Sequence, residues 1–279
     1  MKAFQSFDAL KDRVKTLAKP FRIVVVNPDD EASKTALLKL QNEKLAQVIA
    51  INNDCPETAA AEAVAMVREG KADVLMKGLI GTDQLLRAVL NKESGLLPAG
   101  KVLTHLAAAE IPGYPKLLFF TDAAVIPYPT HEQRIEQVRY ASLICHRLGI
   151  DNPKIALIHC AEHGGKQFPF VDGYAEIKQR AAAGDFGTCI IDGPMDVKCA
   201  CSAHALAAKG MTSPLQGEAD VLVMPDIEAG NTFYKSLTFF AHAKTAGMLC
   251  GTQCPVIVPS RGDDAEAKYN SILLAIASL

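Results

Sequence analysis

Short runs of β-branched and aliphatic residues alternate with amphipathic stretches along almost the whole chain, and no single motif restricts the fold as much. The apolar runs predict strands over residues 22–27, 47–51, 74–76, 116–121, 154–159, 189–191, 221–224 and 256–259. Apolar residues at helical spacing predict helices over 7–18, 32–44, 57–69, 83–91, 132–148, 174–183, 197–209, 232–248 and 265–277. Near-continuous apolar strands separated by helices call for mainly parallel sheets covered on both faces. Right-handed crossovers then bring the carboxyl ends of the strands to one rim, where open α/β sheets bind their ligands. The expected fold class is α/β, built as three-layer α/β/α domains.

A chain of 279 residues suits about two domains of roughly 100–200 residues each. Two prolines in Ile126-Pro-Tyr-Pro-Thr130 give the strongest linker signal. The Cys254-Pro255 stretch is expected to return the last strand and helix to the first domain. The expected division is therefore 1–129 plus 254–279 for the first domain and 130–253 for the second.

A formal net charge of -2 supplies no basic field, so neither nucleic acid nor an anionic membrane is an expected partner. Any anion must be held by local cations. No apolar stretch approaches the roughly 18 residues of a membrane span, and no signal peptide is recognised. The eight cysteines sit mostly in apolar runs, which fits reduced thiols and a cytoplasmic location. Cys199-Ala-Cys201 lacks a second ligand pair and the seven histidines form no HExxH pair, so no metal site is expected.

Several predicted strands end in polar or glycine-containing turns. Residues 74–76 run into Lys77-Gly78-Leu79-Ile80-Gly81-Thr82 and a helix bearing Arg87. Residues 116–121 end at Thr121-Asp122-Ala123-Ala124, and 189–191 at Asp192-Gly193-Pro194. Residues 221–224 lead to Pro225-Asp226-Ile227-Glu228-Ala229-Gly230-Asn231, with Tyr234-Lys235 in the next helix. The last strand ends at Val258-Pro259-Ser260-Arg261-Gly262-Asp263-Asp264. A glycine lets backbone amides approach an anion, and arginine offers paired donors to phosphate oxygens. Taken singly, each glycine reads as a turn and each aspartate as a helix cap. Neither a Walker A loop nor a GxGxxG fingerprint is present, which argues against nucleotide hydrolysis and ordinary dinucleotide binding.

In these blocks the chain resembles the phosphate acetyltransferase/phosphate butyryltransferase family. The resemblance rests on Met76-Lys77-Gly78-Leu79, residues 116–124, Ile191-Asp192-Gly193-Pro194, Met224 through Asn231 with Tyr234-Lys235, and Ser260-Arg261. The blocks at Lys77-Gly78 and 116–124, with the short length, lean toward the butyryltransferase branch. The resemblance implies two α/β domains with the active site in the cleft between them, commonly in a homodimer. It implies reversible conversion of acyl-CoA and phosphate to acyl phosphate and CoA, with no cofactor beyond CoA as substrate. By family position Arg261 grips the phosphoryl group and Ser260 hydrogen-bonds the sulfur or the developing oxyanion. Lys77, Gly78, Arg87, Asn231 and Lys235 are the candidate substrate-binding residues.

One departure bears on mechanism. Acetyltransferase relatives place an aspartate seven residues after the serine as the thiol base, and butyryltransferase-like ones often a glutamate; this chain has Ala267. Asp263, Asp264 and Glu266 are the alternatives for that base, or Ser260 stabilises the thiolate without one. Rival readings are a phosphate acetyltransferase, a nicotinamide- and metal-dependent dehydrogenase of related architecture, and a CoA-binding homologue without activity.

Overall fold

The computed structural model describes residues 4–17 and 19–279. Ala18, the last residue of the helix expected over 7–18, and the first three residues of the expected first domain lie outside them. In chain order the strands are β1 (Phe21–Val26), β2 (Ala46–Ile51), β3 (Val74–Lys77), β4 (Thr104–Glu110) and β5 (Leu118–Thr121). They continue as β6 (Lys154–Ile158), β7 (Ile190–Met195), β8 (Val221–Val223), β9 (Lys244–Cys250) and β10 (Val256–Ile257). The helices are α1 (Phe7–Lys15), α2 (Glu31–Asn42), α3 (Pro56–Arg68), α4 (Thr82–Val89) and α5 (His131–Arg147). After them come α6 (Gly173–Ala182), α7 (Val197–Cys201), α8 (Ala203–Ala208), α9 (Ile227–Phe239) and α10 (Ala265–Ala277). The α/β class read from the sequence holds.

The described residues form two compact units, one of residues 6–103 with 244–279 and the other of residues 104–243 with residues 4 and 5. The boundaries expected at 129/130 and 253/254 therefore lie at 103/104 and 243/244. Strand pairing explains the shift. β4 pairs antiparallel with β5 and β5 pairs parallel with β8, which ties residues 104–121 to later strands. β9 pairs antiparallel with β10 and so joins the C-terminal piece. The double-proline loop is thus internal to the 104–243 unit. Its Thr130 side chain accepts the amide of Gln133, whose own side chain accepts the Thr130 amide, a reciprocal cap that starts α5.

In the 6–103/244–279 unit the strand order is β2-β1-β3-β10-β9. The first four strands run parallel, with Leu75 opposite Val256 and Met76 opposite Ile257. α10 is buried continuously from Lys268 to Ala277 and packs against β9, α2 and α1. In the other unit the order is β4-β5-β8-β6-β7, and all pairs except β4 with β5 are parallel. Phe120, Leu222, Ala156 and Met195 carry its core across that sheet.

Two strands escape the hydrophobic pattern. β4 reads Thr-His-Leu-Ala-Ala-Ala-Glu, with three alanines of poor strand preference, yet Leu106 to Ala109 are buried. Residues 244–248 of β9 fall inside the helix expected over 232–248. That helix ends at Phe239, His242 turns the chain at φ 50, and Lys244–Cys250 enters the sheet. The helix expected over 197–209 is split at Ser202, whose extended backbone and side chain cap α8.

The Asp122 turn after β5 shows why this sheet end is stiff. Its buried carboxylate accepts the amides of Ala124 and Val125 on one oxygen. The other oxygen accepts the Thr104 hydroxyl and the amides of His105 and Ile126. Five donors replace the lost water, which makes a buried carboxylate tolerable. α9 seats Gly230 against this turn, where a Cβ would lie 2.0 Å from the Asp122 carbonyl oxygen. Gly230→Ala is expected to destabilise this unit by about 1–3 kcal/mol, since the obstructing atom is backbone and cannot step aside. Gly262→Ala, where a Cβ meets nothing, is expected to cost less than about 0.5 kcal/mol. Thermal melts of the two variants check the contrast, and equal melting temperatures would refute it.

Candidate functional site

β10 lies beside β3, so the residues leaving their carboxyl ends meet on one rim. Lys77 closes β3 and is 6% exposed. Its ammonium carbon stem is buried, and Nζ donates to the carbonyls of Gly78 and Ile80, each at 3.2 Å. Gly78 turns tightly under the end of β1: its amide donates to the Val26 carbonyl, and a Cβ there would lie 2.4 Å from the Asn27 carbonyl oxygen. The glycine thus serves close backbone packing, and its N–H is already spent.

After β10 the chain passes Pro259 and exposes Ser260, Arg261 and Gly262. The Ser260 amide donates to Asp263 at 2.8 Å, which curls the loop back on itself. Arg261 makes no hydrogen bond or ion pair among the described residues. Ser260, Arg261, Lys77, Lys268, Gln84 and Asp30 line a depression of about 410 Å³. Three basic side chains face one carboxylate there, and such an arrangement attracts anions.

Asp30 and Lys268 were not among the residues singled out from the sequence. Lys268 is buried in α10, where it donates to Asp30 and, at 2.9 Å, to the Ser33 hydroxyl. Asp30 also accepts the Ser33 amide and so caps α2. The one legible signal was a lysine just ahead of the mostly apolar stretch Tyr269 to Ala277 in the last predicted helix. Burial pushes the Asp30 carboxyl upward, but the bonds from Lys268 and Ser33 outweigh it and hold the group at about 2. Burial lowers the Lys77 amine below the ordinary lysine range, and the charges of Lys268 and Arg261 act in the same direction.

The remaining candidates lie elsewhere. Arg87 extends from α4 into solvent and pairs with Asp83 at 3.1 Å, outside the lining of the depression. Asp264 caps α10 by accepting the Ala267 amide, and Glu266 pairs with Lys244 at 2.9 Å. Neither lines the depression. Asn231 and Lys235 belong to the other unit. Asn231 donates to the Ala123 carbonyl at 3.1 Å, while the cap of α9 is Asp226. Lys235 is exposed and stands 4.9 Å from the centre of the Tyr234 ring. Among the described residues no group of three His, Cys, Asp or Glu side chains is placed to hold a metal. None of their helices is long and apolar enough to cross a membrane.

Residues 23–276 match the family described as phosphate acetyl/butaryl transferase. The chain belongs to that family. It is 40% identical to a phosphate butyryltransferase of Clostridium acetobutylicum over 81% of this chain and 74% of that one. It is 36% identical to the phosphate butyryltransferase of Clostridium beijerinckii, with 97% of each chain covered. Among solved structures it resembles a branched-chain phosphotransacylase from Enterococcus faecalis V583, with a TM-score of 0.77, 33% identity, and coverage of 96% and 92% of the two chains. The matched residues include the blocks at Lys77, Asp122, Asn231 and Ser260-Arg261.

The Asp30–Lys268 pair carries a pH signature. Its carboxyl titrates lower folded than the ordinary 3.8, so its stabilisation is complete above that value and disappears as pH falls toward 2. Asp30→Asn keeps a cap for α2 but removes the charge. It is expected to cost on the order of 2 kcal/mol at pH 7. The gap to the unsubstituted chain is expected to close between about pH 5 and pH 2. Denaturant titrations across that range check it; a gap independent of pH would contradict the assignment.

Proposed function

We propose that this chain catalyses the reversible transfer of a short acyl group between coenzyme A and inorganic phosphate, with butyryl-CoA used faster than acetyl-CoA. The observation that carries the reading is the exposed Arg261, without a hydrogen bond or ion pair among the described residues, beside Ser260 in a depression rich in basic groups. Phosphate is a dianion or monoanion near neutral pH, and a guanidinium binds two of its oxygens at once. A phosphate oxygen attacks the thioester carbonyl, charge builds on the carbonyl oxygen, and coenzyme A leaves as a thiolate. In this reading Arg261 orients the phosphate and stays bound as its charge redistributes. Ser260 donates to the sulfur or the developing oxyanion. Lys268, paired with Asp30, adds a fixed positive end to the depression. Coenzyme A is a substrate here, and the working form is a homodimer.

The preference for butyryl-CoA follows the naming of the relatives at 36–40% identity. Each added methylene separates substrates by only about 1–3 kcal/mol, so acetyl-CoA is expected to remain a slower substrate. The test is phosphate-dependent release of free thiol from acetyl-, propionyl- and butyryl-CoA. Butyryl-CoA is expected to turn over fastest. Arg261→Ala is expected to lower the rate at least about a hundredfold, the scale of losing one transition-state donor. Thiol release that does not depend on phosphate, or full activity in Arg261→Ala, would overturn the proposal.

A further inference from the structure

We propose that the Lys77 amine is the base that takes the proton from the coenzyme A thiol when acyl phosphate is the acyl donor. This rests on the acyl-transfer reading above and names a group for a step that reading leaves without one.

A free thiol has a pKa of about 8.5, so attack near neutral pH needs a proton acceptor. The acidic side chains near Ser260 are all engaged. Asp30 is bonded to Lys268 and Ser33, and at about 2 it is far too weak a base for a thiol. Asp263 accepts the Ser260 amide, Asp264 caps α10, and Glu266 pairs with Lys244. Among the basic groups lining the depression, Arg261 cannot be deprotonated and Lys268 is held by Asp30.

Lys77 differs from all of these. It lies in the same depression as Ser260 and Arg261, and no carboxylate among the described residues pairs with it. An amine has three positions beyond its carbon. Two of its N–H groups donate to the Gly78 and Ile80 carbonyls. A neutral amine can satisfy both carbonyls and still keep its lone pair at the third position. The surroundings shift the balance toward that form: burial acts first, followed by the positive charges of Lys268 and Arg261, against weaker opposing effects of Asp30 and Asp263. Buried lysines of this kind are the ones that serve as general bases.

The step is balanced. The thiol S–H bond breaks, its proton moves to the Lys77 lone pair, and the sulfur electron pair forms the new bond to the acyl carbon. The acyl–oxygen bond then breaks and phosphate leaves with that electron pair. In the opposite direction the Lys77 ammonium returns its proton to the departing thiolate.

The test measures acyl phosphate and coenzyme A consumption against pH for the full chain and for Lys77→Met, Lys77→Arg and Lys77→Ala. The first two are expected to lose at least about a hundredfold near pH 7 and to recover as pH approaches the thiol's own pKa. Ethylamine and its more weakly basic analogues are expected to restore Lys77→Ala partially, in proportion to their basicity. Should these variants fold poorly, ¹³Cε resonances of labelled lysines in the unsubstituted chain give a second readout. One of them, Lys77, is expected to titrate below the ordinary value of about 10.4. Unsubstituted chain that turns over, with Lys77 variants within about threefold and an unmoved pH profile, would overturn the base assignment alone. So would an ordinary Lys77 titration. Absence of turnover by the unsubstituted chain would overturn the acyl-transfer reading and this assignment together.

Discussion

Two backbone pairings, Leu75 with Val256 and Met76 with Ile257, carry the rest of the account. They join segments far apart in sequence and set the ends of β3 and β10 side by side. Without them Ser260 and Arg261 would have no fixed relation to Lys77. The entropic cost of closing so long a connection rises only slowly with its length. Burial of Leu75, Met76, Val256 and Ile257 offsets it. α10 then follows immediately and returns across the unit to seal the other side of the strands. A single structural decision, the return of the C-terminal strand to the first sheet, thus yields both core and pocket.

Polar groups at the strand ends divide into those consumed by the fold and those left over for chemistry. Asp122 is consumed entirely, with five donors on its carboxylate. Gly78 and Gly230 are consumed in another way, because each lets a neighbouring backbone pass closer than any side chain allows. Asp30 and Lys268 lie between the categories. Their mutual bond stabilises α2 and α10 while leaving a charged end in the depression. Among the described residues Arg261 makes no hydrogen bond or ion pair, and its exposed guanidinium lines the depression with its donors open to an anion.

How much of this was legible in the sequence varies by element. The eight strands marked by β-branched and aliphatic runs were found because that composition leaves an apolar trace, even in β2, where only Ile51 is buried. β4 was not, since Ala107 to Ala109 carry no such trace and are held by pairing with β5. β9 was read as the tail of a helix because its residues also fit helical spacing, and only contact with β10 and α10 decides between the two. The domain boundary failed for a related reason: prolines at 127 and 129 mark a turn, and a turn inside a unit looks the same in sequence as one between units. At the site, Ser260, Arg261, Lys77 and Gly78 were legible because they end strands. Asp30 and Lys268 were not, since their meaning lies in a pairing between α2 and α10. Arg87 was a candidate for added anion binding from its place after β3, but its helix faces it toward solvent and Asp83.

The central claim is that a guanidinium at the end of β10 receives inorganic phosphate. The most direct measurement is titration of phosphate into ¹⁵N-arginine-labelled protein while the Nε resonance of Arg261 is followed. The account requires that resonance to shift and become protected from exchange at phosphate concentrations that saturate turnover. An Arg261 signal that stays unmoved while phosphate is being consumed would contradict it.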